Sequence, residues 1–258
     1  MRTIFILSLL VLTSCGSHDI KQPDPITPPP IVVQPQAPVT SAEALSDILS
    51  IATISGAAQY KWKDRNKAPL GYVKGIALAY AQELCYPSLP KFGTAETDAL
   101  IYYKLPGEHV LNTYAFLMGL GMRESSGRYC EGRDMSASNV ASVSAEAGMF
   151  QTSYDAGTAK DLLPNFDRKC FLEVFKEGVT CSASNLKNYG TGVGFEFQKK
   201  SKECPAFAVK VAADTIRTKR KHYGPINRKE VEFRPEAVEL LNQVKEIVKN
   251  NPLVCSLL

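Results

Sequence analysis

The most informative segment of the sequence runs from Leu111 to Gly127 and reads LNTYAFLMGLGMRESSG. On a helix, apolar side chains would fall on nearly every face of this stretch, so other elements must enclose it. Gly127 is the residue type that most often follows the last turn of a helix. The sequence therefore predicts a buried central helix over residues 108–125 whose last turn carries a single acidic residue, Glu124.

Glu124 shares a helical face with apolar and small residues, since it follows Leu120 by four positions and Gly121 by three. Burial disfavours a charged carboxylate, and the negative end of the helix dipole disfavours it further, so both effects are expected to raise the pKa of Glu124. A carboxylic acid that stays protonated near neutral pH is able to donate a proton to the leaving oxygen of a glycosidic bond. The alternative is a buried structural glutamate that bonds the backbone or Arg128.

Further helical patterns predict a mainly helical single domain over residues 41–258. Thr40 and Glu43 have the spacing of a capping box ahead of the first helix. Residues 129–164 and 178–203 are rich in Gly, Ser, Asn and Thr and predict loops with a small β-hairpin. The other predicted helices cover residues 73–84, 95–105, 166–176 after an Asn165 cap, 205 to about 222, and 235 to just before Pro252.

The N-terminus predicts export. Arg2 precedes a nine-residue apolar run over residues 4–12, which is too short to span a membrane that needs about 20 residues. Residues 12–15, Leu-Thr-Ser-Cys, resemble the lipobox of bacterial lipoproteins, which implies a signal peptide over residues 1–14 and a lipid on Cys15 that anchors the chain to the outer membrane. An ordinary secretory signal is the alternative. Residues 15–40 include seven prolines and predict an extended linker.

Cysteine usage and charge narrow the class of protein. Six cysteines remain besides Cys15, an even number without a C-x-x-C pair, and this indicates three disulfides in an oxidising compartment. Their pairing stays open, with Cys170–Cys181 as the preferred local bridge. The net charge of +4 fits an anionic polymer or surface but not a nucleic acid. No spacing of ligands predicts a metal or another cofactor.

Two segments together resemble the lysozyme-like superfamily, specifically lytic transglycosylases and goose-type lysozymes. They are the Glu-Ser-Ser-Gly sequence at 124–127 and the Ala-Gly-Met-Phe-Gln-Thr-Ser sequence at 147–153. The resemblance implies a mainly helical α+β domain around the central helix, with a small β-hairpin along a sugar-binding groove. It also implies that Glu124 is the catalytic acid of a monomeric enzyme that cleaves peptidoglycan between muramic acid and glucosamine. By position, the substrate-binding residues are Ser125, Ser126, Gly148, Met149, Phe150, Gln151, Ser153, Tyr154 and Tyr223.

The sequence leaves open which residue supplies a second catalytic carboxylate. Goose-type lysozymes have an aspartate shortly after their equivalent of Gln151, where this chain has Thr152 and Ser153. Retaining chemistry needs two carboxylates about 5 Å apart and inverting chemistry about 6.5–9.5 Å, whereas a transglycosylase uses one acid and forms a 1,6-anhydro product. If acids in the loops face the groove, they favour a cationic sugar such as de-N-acetylated glucosamine. The rival is a non-enzymatic peptidoglycan-binding lipoprotein of the same fold. The candidate acids are Glu131, Asp134, Glu146 and Asp155.

Overall fold

The computed structural model describes residues 40–89, 103, 110–134, 141–156, 158–219, 222 and 224–258. The predicted signal peptide, Cys15, the proline-rich linker and Tyr223 lie outside the described residues. So does the helix predicted over residues 95–105, apart from Tyr103. The described residues belong to one compact unit.

The described part of the chain is mainly helical, as predicted. It contains two isolated β-bridges and no strand, so the predicted hairpin is not confirmed. The elements are α1 (Ser41–Ile54), α2 (Gly56–Gln59), α3 (Leu70–Cys85), α4 (Val110–Ser125), α5 (Ala159–Asn165), α6 (Leu172–Phe175), α7 (Ala183–Leu186), α8 (Val193–Glu203), α9 (Pro205–Thr218), α10 (Pro235–Asn250) and a 3₁₀ helix (Pro252–Leu257).

Local sequence signals set several helix starts. The capping box is present at α1, where the Glu43 amide donates to the Thr40 hydroxyl (3.2 Å) and the Thr40 amide donates to the Glu43 carboxylate (2.7 Å). Proline opens both α9 and α10, where its missing amide hydrogen costs no helical hydrogen bond.

The α4 helix is buried along most of its length and packs against α3, α9 and α10. Two glycines permit this packing. A Cβ atom on Gly119 would lie 1.9 Å from the carbonyl oxygen of Glu232, and one on Gly121 would lie 2.2 Å from the hydroxyl of Tyr72. That hydroxyl donates to the Leu117 carbonyl at 2.8 Å. The close approach of neighbouring segments explains why the helix is apolar on nearly every face and has glycines at these two contacts.

Two predicted segments differ from the structure. Asn165 does not cap a helix over residues 166–176. It ends α5, where its side-chain amide donates to the Asp161 carbonyl, and the next helix begins only at Leu172, after the left-handed Phe171. The predicted loop over residues 178–203 contains α8, an 11-residue helix whose buried face includes Phe197 and Gln198.

Three disulfides fasten the described elements: Cys85–Cys255, Cys130–Cys181 and Cys170–Cys204. The preferred Cys170–Cys181 bridge is therefore wrong. The Ala206 amide donates to the Cys170 carbonyl, which holds Cys170 at the start of α9 beside Cys204 instead. Three disulfides indicate an oxidising, exported compartment. None of the described helices has the length and hydropathy needed to cross a membrane.

Candidate active site

The C-terminus of α4 places Glu124 in the wall of a cleft. The chain turns away directly after Ser125, because Ser126 and Gly127 both adopt positive φ angles and donate to the carbonyls of Met122 and Gly121 (both 3.0 Å). Only glycine fits at 127, where a Cβ would lie 2.9 Å from the Tyr72 ring. Glu124 therefore occupies the last helical turn.

A tight turn over residues 147–152 forms the second wall of the cleft. The Ala147 amide donates to the Thr152 carbonyl at 3.0 Å and closes the turn. The Ser125 hydroxyl donates to the Met149 carbonyl at 2.9 Å and so fastens the turn to α4. Gln151 has a positive φ of 46°, and its side-chain amide donates back to the Gly148 carbonyl at 3.0 Å.

Parts of α9, His222 and the segment 224–228 also contribute to the walls. Gly224 lies against the acid, because a Cβ atom built on it would be 3.6 Å from Oε1 of Glu124. The cleft has a volume of about 360 Å³. The described residues that line it are Leu120, Glu124, Asp134, Glu146, Phe150, Gln151, Thr152, Ser153, Ala156, Ala212, Thr215, Ile216, His222, Gly224, Pro225, Ile226 and Arg228.

The carboxyl group of Glu124 has the properties of a general acid. Its pKa is raised from 4.5 to about 7, mainly by burial and also by the negative charge of Glu146, and this rise remains although Arg228 and Arg123 lower the pKa. The side-chain carboxyl group of Glu124 makes no hydrogen bond or ion pair with another described residue. Arg128, the partner considered from the sequence, binds Glu131 instead (2.7 Å). At neutral pH a substantial fraction of Glu124 is therefore protonated.

Glu146 and Asp134 bring two more carboxyl groups to the same cleft. Burial raises the pKa of Glu146, and the charge of Asp134 raises it further. Asp134 is exposed, whereas Glu146 is partly buried and makes no ion pair with another described residue. The cleft thus has an acidic lining in which each carboxylate makes ionisation of the next less favourable.

The structure brings together only some of the residues selected from the sequence. Phe150, Gln151 and Ser153 line the cleft with Glu124. Ser125 and Met149 are buried behind its wall and hold it in place. Ser126 and Gly148 do not line the cleft and shape the two turns.

Tyr154 and Asp155 do not line the cleft, and Tyr223 lies outside the described residues. Tyr154 packs edge-on against Phe197, with ring centres 6.3 Å apart. Asp155 is exposed and accepts a hydrogen bond from Ser153 at 2.8 Å. Of the four candidate second carboxylates, Asp134 and Glu146 line the cleft, whereas Asp155 and Glu131 do not.

Sequence reasoning missed several residues of the cleft. Arg228 is the only Lys or Arg among the described lining residues, and no motif surrounds it. The hydroxyl oxygens of Thr152 and Thr215 are buried beside the cleft without a hydrogen-bond partner in the described structure. The position of Thr152, directly after the Gln151 motif, was the one available signal for these three residues.

Comparisons with models of known protein families, with curated proteins and with solved structures found no match to this chain. The described residues contain no group of three or more His, Cys, Asp or Glu side chains placed to hold a metal ion. The functional argument therefore depends on the geometry of the cleft.

Proposed function

We propose that this chain is a peptidoglycan glycosidase with a lysozyme-like fold, and that it cleaves the β-1,4 bond between muramic acid and glucosamine. Glu124 is the general acid. The observation that carries the proposal is a carboxyl group with a pKa of about 7, in the wall of a cleft, without a hydrogen bond or ion pair to another described residue. Such a group supplies a proton at the pH of the wall and accepts one back afterwards.

In the first step, the carboxyl proton of Glu124 passes to the bridging oxygen as the glycosidic bond breaks. The new Glu124 carboxylate then faces the negative charge of Glu146, and this repulsion favours recovery of a proton from the attacking nucleophile. The nucleophile is either water, which gives a lysozyme product, or the 6-hydroxyl of the muramoyl unit, which gives an anhydro product. Glu146 is the favoured second carboxylate, since it lies in the cleft and interacts with Glu124.

The substrate is proposed to contain de-N-acetylated glucosamine. Three carboxyl groups line the described cleft, against Arg228 as its only Lys or Arg. A free amine on the sugar becomes an ammonium ion that the negative charges of Glu146 and Asp134 attract, whereas an acetamide carries no charge. The lipid on Cys15 and the proline-rich linker are proposed to hold a monomeric catalytic domain at the outer membrane, within reach of the wall.

The test is digestion of native and de-N-acetylated sacculi by the unsubstituted chain and by Glu124→Gln, which keeps the shape of the side chain but removes its proton. Turnover is expected to fall by at least a thousandfold. Glu239→Gln makes the same chemical change at an exposed position on α10 and is expected to leave activity unchanged.

Mass spectrometry of the released fragments separates reducing-end products from 1,6-anhydro products. Near-normal activity of Glu124→Gln would contradict the catalytic assignment. Binding of sacculi by the unsubstituted chain without release of fragments would favour the non-enzymatic wall-binding lipoprotein. Equal digestion of both kinds of sacculi would remove the preference for the deacetylated sugar.

A further inference from the structure

A second cleft opens beside the candidate active site on the neighbouring face of α4. It has a volume of about 340 Å³ and is lined on the helix by Gly119, Met122 and Arg123. Arg228 lines both clefts, so a ligand that extends past this side chain is able to occupy the two at once. We call this second cleft the Trp62 cleft, after the aromatic residue in its wall.

Trp62 is a buried polar group without a partner. Only 3% of the residue is exposed, and its indole N–H has no hydrogen-bond acceptor among the described residues. The indole nitrogen is solely a donor, and buried donors in folded proteins are normally satisfied. A group that reaches this nitrogen would have to carry an acceptor.

The charges around the Trp62 cleft favour an anion. Five Lys or Arg side chains and three carboxylates line it, which leaves two positive charges in excess. The carboxylates already have partners: Glu230 binds Arg123 (2.9 Å) and Arg228 (3.0 Å), and Glu232 accepts a hydrogen bond from Tyr60 (2.8 Å).

Arg65 and Lys63 are two cations of this lining that have no carboxylate partner among the described residues. The guanidinium of Arg65 donates to the carbonyls of Met122 (3.1 Å) and Arg123 (2.9 Å), so it stabilises the C-terminus of α4 without a carboxylate partner. Lys63 is exposed, and its ammonium group makes no ion pair in the described structure. A ligand carboxylate would complement both cations and supply the acceptor that the indole lacks.

We propose that the Trp62 cleft binds a carboxylate of the peptide branch of peptidoglycan while the sugar strand occupies the cleft at Glu124. This inference rests on the proposed function, since the same polymer must fill both sites. The peptide branch extends sideways from muramic acid and carries free carboxylates, and the shared Arg228 lies between the two clefts. The peptide branch would thus position the strand for cleavage.

The sequence offers a specific probe, because Trp62 is the only tryptophan in the chain. The experiment titrates a free stem tripeptide, alanyl-γ-glutamyl-diaminopimelate, into the full Glu124→Gln chain and records tryptophan fluorescence. A saturable change in emission is expected. The same tripeptide with its carboxylates converted to carboxamides is expected to bind at least tenfold more weakly, and inorganic phosphate is expected to produce no saturable change.

Two charge reversals locate the binding site. Lys63→Glu is expected to weaken tripeptide binding by about fivefold or more, because it replaces an attraction with a repulsion at the rim. Lys245→Glu makes the same change at an exposed position on α10 that does not line the cleft, and is expected to leave binding unchanged. Circular dichroism checks that both variants are folded.

The outcomes separate this inference from the proposed function. The peptide site would be overturned if the tripeptide left tryptophan emission unchanged or if the carboxamide analogue bound as tightly as the tripeptide. It would also be overturned if Lys63→Glu and Lys245→Glu changed tripeptide binding equally. Digestion of glycan strands stripped of peptide tests Glu124 independently. Active chains that fail to bind the tripeptide would leave the glycosidase standing without this site, and inactive chains that bind it would leave the site without the glycosidase.

Discussion

The buried carboxyl group of Glu124 should make the folded state less stable as the pH rises. Its pKa is about 7 in the folded chain and near 4.5 in the unfolded chain, so the folded state binds the proton more tightly. Below pH 4.5 both states are protonated and the difference has no effect. Between pH 4.5 and 7 the unfolded state loses its proton first, and the free energy of unfolding falls.

The magnitude follows from the separation of the two pKa values. One pKa unit corresponds to 1.36 kcal/mol, so a rise from 4.5 to about 7 corresponds to about 3 kcal/mol. Glu124→Gln resembles the protonated side chain at every pH. The stability of this variant relative to the unsubstituted chain should therefore increase by about 3 kcal/mol between pH 4 and pH 8.

The assay is chemical unfolding at pH 4 and pH 8, with the disulfides intact, followed by circular dichroism. Taking the difference between the two pH values cancels any effect of the Gln side chain that is independent of pH. Glu239→Gln is the control, and its relative stability should change by less than about 0.5 kcal/mol. An equal pH response of the two variants would refute the argument that Glu124 is desolvated, and with it the physical basis of the proposed acid.

Three further predictions concern the cleft and the disulfides. Because the proposed acid must be protonated to act, Glu146→Gln should lower the pKa of Glu124 and move the alkaline limb of the pH–activity profile to lower pH. Arg228→Gln should move the same limb to higher pH. If the alkaline limbs of the two variants shifted in the same direction, the assignment of this limb to Glu124 would be contradicted. Replacing Cys130 and Cys181 with serine should lower the free energy of unfolding by about 3–4 kcal/mol in denaturant titrations, since their bridge closes a 51-residue separation.

Local sequence was sufficient to predict a structural feature wherever one short segment contained all the residues that interact to form it. The capping box at Thr40 is complete within four residues. The stretch that forms α4 is apolar on nearly all faces, and Gly127 marks its end, so the position of Glu124 in the last turn follows from neighbours in the chain. The α8 helix was predictable in principle, because Gly194, Phe197, Gln198 and Ser201 recur at helical spacing, although its polar composition resembles that of a loop.

The composition of the cleft was decided by tertiary structure. Glu146 and Asp155 were equivalent candidates in the sequence, and only the path of the chain around the 147–152 turn places Glu146 beside Glu124 and leaves Asp155 in solvent. Arg228 reaches the same cleft from about 100 residues further along the chain. The disulfide pairing likewise depends on which helix ends meet.

Helical character, the position of Glu124 in the last turn of α4 and an even set of cysteines followed from the sequence, because propensity, capping and burial periodicity act between residues a few positions apart. Which charges surround Glu124 and which sulfur atoms pair depended on the packing of distant segments. Coulombic and covalent contacts depend on distance in space, and that distance is set only when α4, α9 and the intervening turns pack together.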